Sequence, residues 1–295
     1  MVGVDLDLAQ LRALEATIRT GTLDAAARAL RITPSAISQR LKALEAATGR
    51  VLLVRSRPAQ PTESGQALLR LARQIELLTA DAIRELEGAM SGRVTLPIAV
   101  NADSLATWVL PALAPLAGDL VLDLHRADQA HTSALLRAGT VMAAVTGDAD
   151  PVPGCSVTRL GGMRYRPQAT AAFAERWFAD GGTAESLARA PVVVFDRSDD
   201  LQHAHLRARG VDPALPPMHV VPSSADFLTA VRLGMGWGMV PDLQDTEGDL
   251  TVLDPAGGVD VVLHWQQWRL RSPSLDRVAD AVLAAARRVL APGGR

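Results

Sequence analysis

Residues 22–57, TLDAAARALRITPSAISQRLKALEAATGRVLLVRSR, constrain this chain more than any other stretch, because two helix starts stand close together in them. Thr22 is a helix-capping residue type, and Leu23, Ala26, Ala27 and Leu30 then share one apolar stripe. Thr33-Pro34 repeats the signal, with proline at the first helical position, where a missing N–H costs nothing. Ile37, Leu41 and Leu44 follow at helical spacing, so Ser35, Ser38, Gln39 and Lys42 turn outward. Two short helices followed by the segment Val51–Val54 and Arg55-Ser56-Arg57 read as a helix-turn-helix with a basic wing.

Charge says what such a unit grips. Between Arg31 and Arg73 stand eight cations and two acids, a local net of +6 in a chain whose total is −2. Residues 1–93 carry 13 cations and 10 acids, net +3, and the remainder carries 17 and 22, net −5. The two parts therefore face different partners. Small hydroxyl and amide side chains at the start of a helix can reach base edges in the major groove, while nearby cations hold phosphates and set the register. Candidate contacts to double-stranded DNA are Thr22, Thr33, Ser35, Ser38, Gln39, Arg40, Lys42, Arg55 and Arg57.

The string AARALRITPSAISQRLKALE, then LLVR, then PTESG resembles the DNA-binding end of the LysR-type transcriptional regulators, whose signature runs A-A-x-x-L-x-x-T-x-S-A-[IV]-S-x-x-[IL]-x-x-L-E, L-[FL]-x-R and P-T-x-x-G. That resemblance implies a winged helix-turn-helix over residues 1–61, a dimerisation helix over 62–92 and an effector-binding domain over 93–295. The residues support each part. Residues 6–19 place Leu6, Leu8, Leu11, Leu14 and Ile18 at mostly helical spacing, ended by Gly21. A long helix opens at Pro61-Thr62 and runs to about Glu87, with Gly88 and Gly92 beyond it. Its stripe of Leu68, Leu71, Ile75, Leu78 and Ala82 alternates steps of three and four, as the seam of a two-stranded coiled coil does, and as the inside of an ordinary helix also can.

From Val94 the pattern becomes α/β. Strand 94–100, helix 104–116, strand 120–125, helix 133–139 and strand 141–145 alternate as in a doubly wound parallel sheet. A second cycle begins around 164–170, with strands at 191–195, 219–221 and 237–240 and a helix at 225–233; the stretch 261–268 then leads through Ser272-Pro273 into a last helix that turns Leu275, Val278, Val282 and Val289 inward. The resemblance makes these two lobes a hinged clamp similar to bilobal solute-binding proteins, lobe I being 93–163 with 268–295 and lobe II 164–267.

Ligands of open α/β sheets sit beyond the carboxyl ends of strands, at helix N-termini that favour anions. Asn101-Ala102-Asp103-Ser104 and Ser223-Ser224 occupy such turns, although serine and aspartate there can equally be plain caps. Asp103, Asp128, Asp148 and Asp196 follow strands at the same rim and would suit a cation. VNADSLATW, AAVT, PVPGC, APVVVFD and HWQQW are similar to the ArgP/LysG branch of the family, which senses basic amino acids and activates an exporter gene. On that resemblance Ser104, Thr146 and Ser224 hold the α-carboxylate of L-lysine or L-arginine, and Asp103, Asp128 or Asp148 takes a cationic group; no other cofactor is implied. It also implies a homodimer through the linker helix, a homotetramer that bends DNA and admits RNA polymerase, and a regulator of the LysR type that answers to a different small effector stays open beside it.

Two other functional classes fit the chain less well. A solute-binding protein fits residues 94–295 but leaves the basic front third unused, and MVGVDLDLAQLR has acids where an export signal carries cations. With no apolar run of membrane-spanning length, a cytoplasmic location without membrane attachment is expected. Catalysis is not expected: His203-x-His205 lacks companion ligands, Ser223-Ser224 lacks a G-x-S-x-G elbow, and GMGWGMVP lies in a strand-forming stretch. A single cysteine, Cys155, excludes an internal disulfide.

Overall fold

The computed structural model describes residues 5–54, 56–87, 93–127, 129–197 and 199–291. Three helices build the head: α1 (Leu8–Thr20), α2 (Leu23–Leu30) and α3 (Pro34–Thr48). Each start is capped as its sequence dictates, by Asp7, Thr22 and Thr33, whose side-chain oxygens accept the free first-turn N–H groups. Gly21 and Gly49 close α1 and α3 in the left-handed region, at φ +77° and +63°. Leu11, Leu14, Ala26, Ala27, Ile37, Leu41 and Leu44 form a buried core, in which the alanines of α2 let α1 and α3 come close. The wing is the antiparallel pair β1 (Leu53–Val54) and β2 (Gln60–Pro61). It is pinned to α3 by Glu45, whose Oε1 accepts the Leu52 N–H at 2.9 Å.

The long helix α4 (Glu63–Glu87) starts one residue later than expected, because Pro61 belongs to β2 and Thr62 is the cap, accepting from the Gly65 N–H at 3.0 Å. Part of its expected seam is used within the chain. Leu68, Leu71 and Ile75 pack against the head core together with buried Ala72, whereas Leu78, Ile83 and Leu86 are exposed. Leu77 enters the core of the domain that follows.

That domain alternates β3 (Val94–Val100), the short α5 (Ala102–Ser104) and α6 (Leu110–Leu113), β4 (Leu120–Arg126), α7 (Gln129–Arg137) and β5 (Ala143–Thr146). The single helix expected over 104–116 is instead broken by a π turn at Leu105–Val109 and a 3-10 turn at Ala114–Leu116. Pro111 and Pro115 lack the N–H that a regular helix would use there. The helix expected at 133–139 begins at Gln129, before the segment's apolar residues signal it.

β6 (Cys155–Ala169) is the element that periodicity missed: only its second half was expected, yet it is one strand of 15 residues. After it come α8 (Ala171–Trp177), α9 (Ala184–Arg189), β7 (Val192–Val194), α10 (Leu201–Ala208), β8 (Met218–Val220), α11 (Ser224–Arg232), β9 (Gly238–Pro241), β10 (Thr251–Val252), β11 (Val259–Trp268) and α12 (Pro273–Val289). In the first lobe β4, β3 and β5 are parallel neighbours. β11 runs antiparallel to both β5 and β6, so the sheet is mixed rather than purely parallel. The far half of β6 carries β9 and β10 in the second lobe, where β7 pairs with β8 and Val192 bridges to Trp237. Thus β6 and β11 are the two strands that cross between lobes. α12 packs Leu275, Val278, Val282 and Ala286 inward, but Val289 is exposed and Leu290 is the buried residue at its end. None of the described helices is long and apolar enough to cross a membrane.

Candidate functional site

Two surfaces carry the candidate residues. On the head, α3 buries Ile37, Leu41 and Leu44, which leaves Ser35, Gln39 and Lys42 exposed and Ser38 and Arg40 half-buried on the outward side. Thr22 and Thr33 serve as caps, and Thr33 Oγ1 also lies 2.9 Å from Ser35 Oγ. Arg57 is exposed at the wing; Arg55 lies outside the described residues. Helix, caps and wing thus leave hydroxyl, amide and cationic side chains at the surface, the residue types with which a helix-turn-helix contacts DNA.

The second surface is a cleft of about 1250 Å³ between the lobes, bordered by Asn101 and Asp103 after β3, by His125 and Arg126 at the end of β4, by α7, and on the far side by Phe195, Asp196, Asp199 and Gln202. Asp103 is its organising group. Tyr165 on crossing strand β6 donates its hydroxyl to Asp103 Oδ2 at 2.7 Å, and Ser224, from the opposite lobe, donates to Oδ1 at 2.6 Å. Gln244 Nε2 in turn donates to the Ser224 carbonyl at 2.7 Å and lies 3.1 Å from its Oγ. Burial, with the Asp103 carboxylate added, holds the Tyr165 hydroxyl well above the ordinary phenol range, so it remains a donor.

Asp199 sits in the same wall and accepts the Phe195 and Leu201 N–H groups. Burial raises its carboxyl above the ordinary range against those two bonds, and the charges of Asp103 and Asp196 raise it further. Four aspartates, Asp103, Asp196, Asp199 and Asp200, thus line one cavity, an arrangement that suits a ligand with several N–H donors.

The candidate ligand residues separate accordingly. Asn101, Asp103 and Asp196 border the cleft, and Ser224 touches Asp103. Ser223 is instead the cap of α11, and Ser104 is fully buried beneath the turn. Thr146 and Asp148 belong together: Thr146 Oγ1 accepts the Asp148 N–H at 3.1 Å, and the Asp148 carboxylate accepts the Ser133 hydroxyl at 2.7 Å. The Ser133 bond, then the Asp150 N–H, keep Asp148 below the usual carboxylate range, as befits a loop clamp rather than a group that borders the cleft. Asp128 lies outside the described residues. Tyr165, Asp199 and Gln244 were not singled out by sequence, since nothing local marks a residue whose partner is 62 positions away. Among the described residues no cluster of His, Cys, Asp and Glu could hold a metal, and His205 is buried edge-on against Trp237.

Comparison with known proteins supplies the remaining finding. Residues 8–66 match the family profile described as bacterial regulatory helix-turn-helix protein, lysR family, and residues 88–287 match the LysR substrate binding domain. The HTH-type transcriptional regulator LysG of Mycobacterium tuberculosis is 44% identical, over 97% of this chain and 95% of its own length. The crystal structure of ArgP from Mycobacterium tuberculosis superposes with a TM-score of 0.88 at 43% identity, covering 98% of this chain and 100% of that one. Full-length LysG from Corynebacterium glutamicum, solved with bound effector Arg, gives 0.79 at 40% identity over 97% and 100%.

Proposed function

The chain belongs to the lysR family of bacterial helix-turn-helix regulators, and from that premise we propose that it is a transcriptional regulator whose interlobe cleft binds L-lysine or L-arginine and thereby controls an amino acid exporter gene. The observation that carries the ligand assignment is the acid-walled cleft, onto which Asp103, Asp196 and Asp199 converge; that a relative is solved with bound effector Arg supports the same reading. A guanidinium offers five donors and an ammonium three, and both are attracted by such a wall, which repels an anion. In this reading Asp103 takes a cationic group of the ligand, and Ser224 and the N-terminus of α11 lie where the α-carboxylate can be held.

The DNA-reading assignment rests on the exposed Ser35, Gln39 and Lys42 with half-buried Ser38 and Arg40; Arg57 grips phosphate. The division into 1–61, 62–92 and 93–295 follows the same reading. Two chains pair through the exposed stripe of α4, two pairs assemble into a tetramer in the cytoplasm, and ligand closes the lobes so that the heads meet DNA differently and RNA polymerase gains access. Ligand can drive this only by binding one arrangement better than the other.

Calorimetry of the purified protein against L-lysine, L-arginine and L-glutamate tests it. Heat is expected with the basic pair alone, and Asp103→Asn abolishes it. Absence of binding by both basic amino acids would sink the ligand assignment while leaving a salt-sensitive duplex shift to support the regulator.

A further inference from the structure

The linker helix α4 meets the effector domain through arginines at two chemically different places. Away from the cleft, Arg84 Nη1 donates to the Asp119 carbonyl at 2.8 Å and Arg84 Nη2 lies 3.5 Å from its carboxylate. Beside the cleft, Arg70 Nη1 donates to the Arg137 carbonyl at 2.8 Å, and Arg73 Nη1 to the Gly139 carbonyl at 3.0 Å. The Arg137 carbonyl is the last of α7, and that of Gly139 lies two residues past its end. The last carbonyls of a helix have no partner of their own and carry the negative end of its dipole, so two guanidinium groups there satisfy both needs.

The joint leaves little slack. Gly139 has φ +65°, and a Cβ on it would stand 2.7 Å from Arg70 Cα. Arg70 is also fixed over the Trp268 ring, 5.2 Å from its centroid. At the other end of the chain of contacts, Arg73 Nε is 4.0 Å from Glu15, a buried side chain of α1 in the head. The flank of α7 meanwhile borders the cleft through His131, Ala134 and Leu135.

We propose that Arg70 and Arg73 couple the effector cleft to the DNA-reading head: a shift of α7 on ligand binding is carried by its last carbonyl and by that of Gly139 in the turn after it into α4 and, through Glu15, into α1. The inference rests on the regulator reading above. Position between two sites does not by itself establish coupling, so the test measures the ligand's effect on DNA affinity rather than either affinity alone.

The full-length protein is titrated onto a promoter duplex with and without L-arginine, beside calorimetry of L-arginine binding. Arg70→Ala is expected to leave the L-arginine affinity, and the duplex affinity without ligand, within about threefold of the parent. The ligand-induced change in duplex affinity is expected to shrink by about fivefold or more. Arg84→Ala, which loosens the same helix away from the cleft, keeps the full change. A full ligand response in Arg70→Ala, or an equal loss in Arg84→Ala, overturns the assignment, because both outcomes mean that the arginines only dock the helix. If the parent protein binds neither basic amino acid, the ligand assignment above fails and the joint is read without ligand. Hydrogen exchange at residues 138–142 and in the first turns of α4 should then rise together in Arg70→Ala and in neither place in Arg84→Ala; unchanged exchange in Arg70→Ala overturns the coupling.

Discussion

Asp103 accepts from a hydroxyl on a crossing strand and from another on the opposite lobe, so one carboxylate ties the two walls of the cleft together. Asp199, raised mainly by burial and further by Asp103 and Asp196, holds its proton to higher pH in the free protein than an ordinary carboxyl does. A bound cation favours the charged form and draws that value down. Binding therefore releases a proton, and affinity for L-arginine rises as pH climbs through the raised Asp199 value and levels off above it. Titration in two buffers of different ionisation enthalpy reads the proton directly; equal heats in both would remove Asp199 from the site. On the head, Gln39 is exposed in the middle of α3, and Gln39→Ala is expected to weaken binding to the specific site by about 1–3 kcal/mol while relaxing discrimination at one base pair. An equal loss on unrelated duplex would contradict base reading. Arg57→Ala should act alike on every sequence and lower the salt slope by about one, and an unaltered slope would mean no phosphate contact.

At the scale of elements, what sequence could and could not reveal follows from the range of the interactions. The three head helices were legible through local devices, the caps Thr22 and Thr33 and the stop at Gly21, although the Asp7 cap, which starts α1 at Leu8 rather than at residue 6, was not. The full extent of β6 was not legible, since a strand buried by both lobes has no clean alternation and its partner β11 lies about a hundred residues on. For the same reason the turn carrying Asp103 could be found but not its partners Tyr165 and Ser224. The stripe on α4 looked like one seam and proved to be two surfaces, an upper part packed on its own head and a lower part left exposed. That split makes a prediction about pairing. Leu78→Glu changes a residue exposed in the single chain, so the melting temperature of the protomer should move little. A charge in a coiled-coil seam is costly, so dimer dissociation in sedimentation should shift to higher protein concentration. Dimers unaffected by Leu78→Glu would place the pairing surface elsewhere.

Residues 1–93 carry net +3 and the remainder net −5, and the first part includes α4, a helix about 37 Å long at 1.5 Å per residue that leads from the head to the effector domain. One small head reads few base pairs, and specificity then comes from holding two heads at once. Because α4 is packed against both its own head and its own effector domain, each head is carried as part of a rigid arm rather than on a free tether. In the proposed dimer two such arms would present recognition helices at a fixed separation, and B-form DNA offers its major groove on one face about every 10–10.5 base pairs. Inserting about five base pairs between the half-sites turns one of them to the opposite face. Affinity should then fall toward that of a single head, and the dependence on salt should fall with it, because only one set of phosphate contacts remains. Inserting about ten restores the facing and should recover part of the affinity, the shortfall reporting how far the arms can spread. A spacing series that left both affinity and salt slope unchanged would mean that the heads move independently, and the path from cleft to DNA could not then run through a rigid α4.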